Sequence, residues 1–424
     1  MMEKSAHPSR RHIFLLVATG AFLSTMDSSM INVALPSIMR SFATTLPRTE
    51  WVVLIYLLTI TLTLMVWGYL SDRYGQGRIY LFGMLVFTLG STACSLSPTL
   101  SLLLLFRFIQ ALGAAMMMAS GPAIIKNVSP HDHIGRELGL LGVATSIGLM
   151  SGPAVSGFLI SSFSWRAIFL VTVPVSLTAY LAGSVFIARR LPHGISQERR
   201  RKVSMFPLFL FGRKEYSIAM LVACLSFVVL FILLIVMPFY MDFVLRMPVD
   251  RIGLVMMAVP LTLFIVSPAS GALYDRIGAG FLTTTGLGIS CLAVLSLLCL
   301  NPASGIYDIA WRLALLGTGQ SIFLSPNTAS VLARIEAEYT GITSGVLATS
   351  RNIGMLLGAA IAGMALSAFF SSFSGGLDLK DYSSLQVHSF MQAYRGTLGI
   401  AALIALSGAV LSALREAGKQ RTVV

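Results

Sequence analysis

Twelve stretches of about 20 consecutive, mostly apolar residues run through this chain, and they limit its fold more than any other feature. At 1.5 Å per residue, a helix of that length matches a hydrocarbon layer roughly 30 Å thick. The stretches fall near residues 13–36, 51–70, 79–97, 99–124, 138–160, 166–188, 217–240, 252–274, 281–300, 304–329, 341–370 and 394–414. Together they consume well over half of the 424 residues, and with 56% of the chain hydrophobic and 11% charged, little remains for a domain outside the bilayer. The sequence predicts an all-α membrane protein of twelve transmembrane helices. The first stretch is too long for a signal-peptide core and is expected to be a retained helix.

The formal net charge of +13 could suggest a nucleic-acid partner, but the basic residues lie in short loops rather than on one polar face. Their distribution reads instead as topology. With the N-terminus placed in the cytoplasm, 20 of the 30 lysines and arginines fall on that side and seven on the other, while Arg107, Arg312 and Arg351 lie within helices. That asymmetry places both termini in the cytoplasm. The most polar interruption divides the chain into an N-terminal six-helix bundle (1–188), a basic cytoplasmic linker (189–216) and a C-terminal six-helix bundle (217–424). Cys94, Cys224, Cys291 and Cys299 stand singly in apolar runs and read as small buried hydrophobes, with neither disulfide nor metal site indicated. His131, Asp132 and His133 read as a solvated loop.

The two halves repeat one another. Gly68-Tyr-Leu-Ser-Asp72-Arg73-Tyr-Gly75 returns as Gly271-Ala-Leu-Tyr-Asp275-Arg276-Ile-Gly278, with five identities in eight at an offset of 203. Arg107 is matched to Arg312 at an offset of 205, and Gly148, Gly152 and Gly157 to Gly354, Gly358 and Gly363 at 206. Six helices per half leave the repeats parallel, the arrangement of a transporter that rocks around a midplane site. Gly68 is expected to let two helices approach closely. Asp72 is placed to face a helix N-terminus, and Arg73 and Arg78 can pair with acidic groups.

This loop resembles the signature of the major facilitator superfamily, Gly-x-Leu-x-Asp-Arg-x-Gly-Arg-Lys, departing from it at Gln76 and Gly77. By that resemblance Gly68, Asp72, Arg73, Gly75 and Arg78 form a gate latch. Met26-Asp27-Ser-Ser-Met-Ile-Asn32-Val-Ala-Leu-Pro36 and Arg107-Phe-Ile-Gln110-Ala-Leu-Gly113 resemble the first- and fourth-helix motifs of the drug:proton antiporters, particularly their fourteen-helix branch. Gly148, Gly152, Pro153 and Gly157 resemble the fifth-helix antiporter motif, with Ser156 replacing a usual glycine. Trp165-Arg166-Ala-Ile-Phe169 follows the same branch, with Thr172 where asparagine is usual. The chain lacks that branch's extra helix pair. Physically, the small residues and Pro153 would give a smooth, kinkable surface on which the bundles slide, with packing alone as the other reading. Pro122 and Pro326 mark bends at the gates or simple kinks.

Of the 17 acidic residues, Asp27 is the one read as lying deep inside a predicted helix. Asp27 and Arg107 each fall roughly 12 to 14 Å below the outer surface by helix rise, so they are expected to face one another. Burial and a nearby arginine act oppositely on a carboxyl, so motion that changes either would load and unload a proton; a permanent ion pair is the structural alternative. Asn32, Gln110, Met117, Arg312, Arg351 and Asn352 are the further cavity candidates, and the Met116–Met118 run permits an adaptable apolar pocket. No phosphate-binding loop is visible, so the energy source is expected to be a proton gradient, with no cofactor. The resulting expectation is a monomeric proton-coupled exporter in a bacterial inner membrane, taking a small amphipathic neutral or anionic compound. Neither an enzymatic activity nor a nucleic-acid partner is expected. The alternatives are an importer or uniporter of the same fold, or a non-transporting membrane receptor.

Overall fold

The computed structural model describes residues 7–128, 134–187, 214–333 and 340–420. Among these residues the chain is helical almost throughout and contains no strand. The long helices are α1 (His7–Ser41), α2 (Trp51–Tyr74), α3 (Gln76–Ser95), α4 (Leu100–Val128), α5 (Ile134–Ser162), α6 (Thr172–Ile187), α7 (Lys214–Phe239), α8 (Ala258–Ile277), α9 (Ala279–Leu298), α10 (Ile306–Leu332), α11 (Thr340–Phe373) and α12 (Val387–Gln420). A single helical turn, Leu46–Thr49, precedes α2, and the two-turn helix Val249–Met256 precedes α8. The apolar stretches thus become twelve helices, several of them longer than the spans themselves; the 35 residues of α1 reach about 52 Å. Among the described residues, eleven helical stretches are long and apolar enough to cross a membrane. The α10 helix is not among them, since Asp308, Arg312, Gln320 and Asn327 interrupt its apolar face. The basic linker and the His131–His133 loop lie outside the described residues.

In lipid, helices gain little from hydrophobic contact with each other, so association depends on close backbone approach at small residues. In the crossing of α3 and α4, a Cβ on Gly113 would sit 2.5 Å from the Gly83 carbonyl oxygen and 2.9 Å from Phe87 Cα. The α9–α10 crossing repeats this, with Gly319 on the carbonyl of Gly286 at 2.7 Å. The two helix-pair turns of the repeat also match. Gly75 between α2 and α3 has φ 102°, and Gly278 between α8 and α9 has φ 81°, a region that side chains with a Cβ rarely enter. By contrast, nothing lies within 4 Å of a Cβ built on Gly68, so Gly68 does not serve the close helix approach expected of it.

Residue contacts divide the chain into two compact units, one of Met1–Ala34 with Trp51–Lys202, the other of Leu35–Glu50 with Val203–Val424. The last part of α1 and the turn after it therefore group with the second unit. Arg40 forms an ion pair with Asp242 in the π-helical turn that follows α7. Nearby, Tyr240 stacks on Tyr394 at 5.0 Å and Phe243 on Tyr382 at 4.8 Å, closing this end of the unit with aromatic rings. The cysteines divide: Cys94 and Cys291 are buried, as expected, but Cys224 is half-buried and Cys299 exposed.

The packing predicts a contrast between two glycines. Gly113→Ala should lower stability by about 1–3 kcal/mol, because backbone atoms stand where the methyl must go. Gly68→Ala should change it by less than about 0.5 kcal/mol. Thermal unfolding of the detergent-solubilised variants checks both.

Candidate functional site

Asp27 and Arg107 meet as expected. Arg107 Nη1 donates to Asp27 Oδ2 at 2.6 Å, and both side chains are 1% exposed. The same Nη1 donates to Gln110 Oε1 at 2.7 Å, and Nε donates to the Val52 carbonyl at 3.2 Å. Gln110 Nε2 donates in turn to Asp27 Oδ1 at 2.9 Å and to Ser91 Oγ at 2.7 Å, and Thr172 Oγ1 reaches Ser91 Oγ at 3.1 Å. Both oxygens of Asp27 therefore accept a hydrogen bond, one from a cation and one from an amide. The guanidinium also lies 4.2 Å from the centre of the Tyr56 ring and 5.6 Å from that of Phe169, an arrangement that favours a desolvated cation.

Helix spacing explains the convergence. Arg107 and Gln110 are three residues apart and so share one face of α4. Gly90 lets α3 press on that face, where its Cβ would lie 2.7 Å from Gln110 Cα, which brings Ser91 alongside. Sequence reasoning did not find Ser91 or Tyr56, and it noted Thr172 solely as a departure from a motif. The available signal was the Gly90-Ser91 pair, a polar residue beside a glycine within an apolar run.

The second unit holds no equivalent. The glycine crossings put α4 and α10 in register at an offset of 206, α3 and α9 at 203, and α1 and α7 at 202, because Phe22 and Met26 on α1 meet Gly148 and Gly152 as Cys224 and Val228 on α7 meet Gly354 and Gly358. Asp27, Ser91, Arg107 and Gln110 then correspond to Val229, Val294, Leu313 and Leu316, all buried. This corrects the match of Arg107 to Arg312, which is one residue out of register and thus about 100° away around the helix. Arg312 itself bonds the Asp308 carbonyl at 2.6 Å and its carboxylate at 3.1 Å, one turn back.

None of the remaining expected residues shares a described hydrogen bond with this network. Asn32 is buried, and its Oδ1 has no hydrogen-bond donor. Met117 is buried, with its sulfur 3.1 Å from a Cβ built on Gly20, and so serves packing against α1. Asn352 is half-buried beside Arg351, whose Nη2 donates to Thr328 Oγ1 at 2.5 Å and whose Nε has no acceptor. Of the latch residues, Asp72, Arg73 and Arg78 are exposed. Asp72 accepts at 3.1 Å from the side chain of Gln76, the first residue of α3, and Arg73 lies over the Tyr74 ring. Gly148 and Gly152 spend their small size on α1 of the same unit: a Cβ on Gly148 would lie 2.5 Å from the Phe22 carbonyl, and one on Gly152 would overlap the Ser29 hydroxyl. Pro153 and Gly157 on the same helix are buried.

The profile of the Major Facilitator Superfamily matches residues 17–359. The chain belongs to that superfamily. Its members are transporters, not enzymes, and the twelve helices in two six-helix halves are this superfamily's fold. The riboflavin transporter RibZ of Clostridioides difficile (strain 630) is 28% identical, with 94% of this chain aligned to 96% of that one. Multidrug resistance protein Stp of Mycobacterium tuberculosis (strain CDC 1551 / Oshkosh) is 29% identical over 86% of this chain and 78% of its own. Among solved structures, a bacterial homolog of the human lysosomal transporter Spinster superposes with a TM-score of 0.80 at 16% identity, covering 96% of this chain and 97% of that one.

The network predicts an order of effects. Gln110→Leu removes the donor to Asp27 and the acceptor beside Arg107 and should cost about 1–3 kcal/mol of stability. Ser91→Ala leaves Gln110 bonded to Asp27 and should cost about 1 kcal/mol. Parallel thermal melts of the purified variants test the ranking, and equal losses would contradict it.

Proposed function

We propose that this membrane transporter is a proton-coupled exporter of a small neutral or anionic compound, working by alternating access in a bacterial inner membrane, as a monomer and without a cofactor. The observation that carries the coupling is the buried Asp27–Arg107–Gln110 network. In it the ionised carboxylate is fully satisfied; adding a proton to Asp27 removes the charge that holds Arg107 and replaces an acceptor with a donor. Proton occupancy is therefore tied to the geometry of α1, α3 and α4. A single charge crossing 100 mV is worth about 2.3 kcal/mol, sufficient for nearly a fiftyfold substrate gradient. The resistance protein among the relatives supports export, and the riboflavin transporter supports a cargo without a double positive charge.

Arg351 supports the same cargo class. Arg107 and Arg312 each have a carboxylate partner, whereas among the described ion pairs Arg351 has none. Its guanidinium is held by the Thr328 hydroxyl and lies 5.9 Å from the Phe227 ring centre. A half-buried guanidinium with an unused N–H suits a carboxylate or phosphate oxygen.

Proteoliposomes with an inside-acid gradient test the reading, using riboflavin, a fluorescent carboxylate dye and a dicationic dye as probes. Wild type should accumulate the neutral or anionic probe, and a protonophore should abolish the uptake. Asp27→Asn should lose uphill uptake; it should also lower thermal stability, because Arg107 is left buried without a counter-charge. Arg351→Ala should weaken uptake of the carboxylate dye by about tenfold or more while sparing the neutral probe. Uptake of the dication alone would refute the cargo class. Accumulation driven by the opposite gradient would make the protein an importer.

A further inference from the structure

A second acidic residue is buried where the sequence placed none. Glu50 stands between the turn Leu46–Thr49 and α2 and is 1% exposed. Its backbone N–H donates to the Leu46 carbonyl at 3.0 Å, and Leu46 and Thr49 are buried, so the turn is anchored and the side chain directed inward. The carboxyl group ends on Gly363 of α11, where a built Cβ would overlap Cδ and both carboxyl oxygens. A residue with a Cβ at position 363 could not coexist with Glu50 in this seat.

Among the described residues, nothing in the seat compensates a negative charge. Oε1 has no hydrogen-bond donor, and among the described residues no ion pair includes Glu50. On the helix face that holds Gly363, the buried Ala359, Ala362, Leu366 and Phe370 and the half-buried Ser367 carry no titratable group. The charged group of that helix, Arg351, is twelve residues away, about 18 Å along the axis. On the side of the turn, Arg48 is exposed and Arg40 is engaged by Asp242. An ionised carboxylate without donor or cation is costly at such a site, whereas the neutral acid is not.

We propose that Glu50 is a second protonation site of this transporter, which holds its proton while the carboxyl rests on Gly363 and gives it up when that contact opens to water. Gly363, matched by sequence to Gly157 of the fifth-helix motif, is on this view the surface that senses the proton. The proposal rests on the proton-coupled reading but is tested without substrate. Infrared spectra of the full chain in lipid nanodiscs, stepped from neutral to alkaline pH, should show a carboxylic-acid C=O band that wild type loses as pH rises. The band should be absent in Glu50→Gln and retained in Asp27→Asn. Gly363→Ala, which evicts the carboxyl, should lose the band at neutral pH. If either variant fails to assemble, Glu50→Asp is read in the same way, since an acid one methylene shorter cannot rest on Gly363. A spectrum unchanged by Glu50→Gln, or a Glu50 band indifferent to pH, overturns the proposal. Failure of the gradient assay with this band intact would instead overturn the coupling.

Discussion

The arginine at position 107 is the constraint around which the first unit is arranged. A guanidinium buried to 1% exposure in a membrane helix is tolerable only if every direction around it is occupied by an acceptor or an aromatic face. Four helices meet that demand. Asp27 comes from α1, the Val52 carbonyl and the Tyr56 ring from α2, Ser91 by way of Gln110 from α3, and Gln110 itself from α4. Because the carboxylate is shared between Arg107 and Gln110, removing its charge disturbs all of these contacts together. The same completeness that makes the pair tolerable in a membrane helix is what the proposed coupling to a single proton rests on.

The two units show how one packing scheme carries two chemistries. Their crossings use the same glycines at matching heights, Gly83 with Gly113 and Gly286 with Gly319. Backbone geometry is set by these approaches, since lipid gives no comparable drive for apolar side chains to associate. Side chains between the crossings are then free to differ. Where the first unit has Asp27, Ser91, Arg107 and Gln110, the second has Val229, Val294, Leu313 and Leu316. The asymmetry leaves this polar network in the first unit and frees α11 of the second to present Arg351 and the seat of Glu50.

Sequence alone was informative about the helices and the pair because both follow from one-dimensional rules. Run length against bilayer thickness yields the spans, and helix rise places Asp27 and Arg107 at one depth. What it missed is angular or distant in sequence. A one-residue slip in the repeat made Arg312 a counterpart of Arg107, although the glycine crossings rotate it toward Asp308. Gly148 and Gly152 looked like a sliding surface because small residues look alike whatever they pack on; contact with Phe22 and Ser29 appears only in three dimensions. Glu50 escaped because it precedes an apolar run and so resembles a loop acid, and its burial depends on Gly363, more than 300 residues away.

Arg107 and Arg351 show why a buried charge must be judged by its partners rather than its depth. Arg107 has a carboxylate, an amide oxygen and a backbone carbonyl within 3.2 Å. Arg351 has one hydroxyl and a distant ring, and Nε goes unused. A hydroxyl returns far less of a cation's hydration energy than a carboxylate does. Such a deficit is tolerable if the site is completed from outside the chain for part of the cycle. On the proposed reading, the completing group is a cargo that accepts a hydrogen bond at that point, and a second cation would deepen the deficit. Glu50 has the opposite deficit, an acid without a donor, and a proton is the smallest species that can remove it.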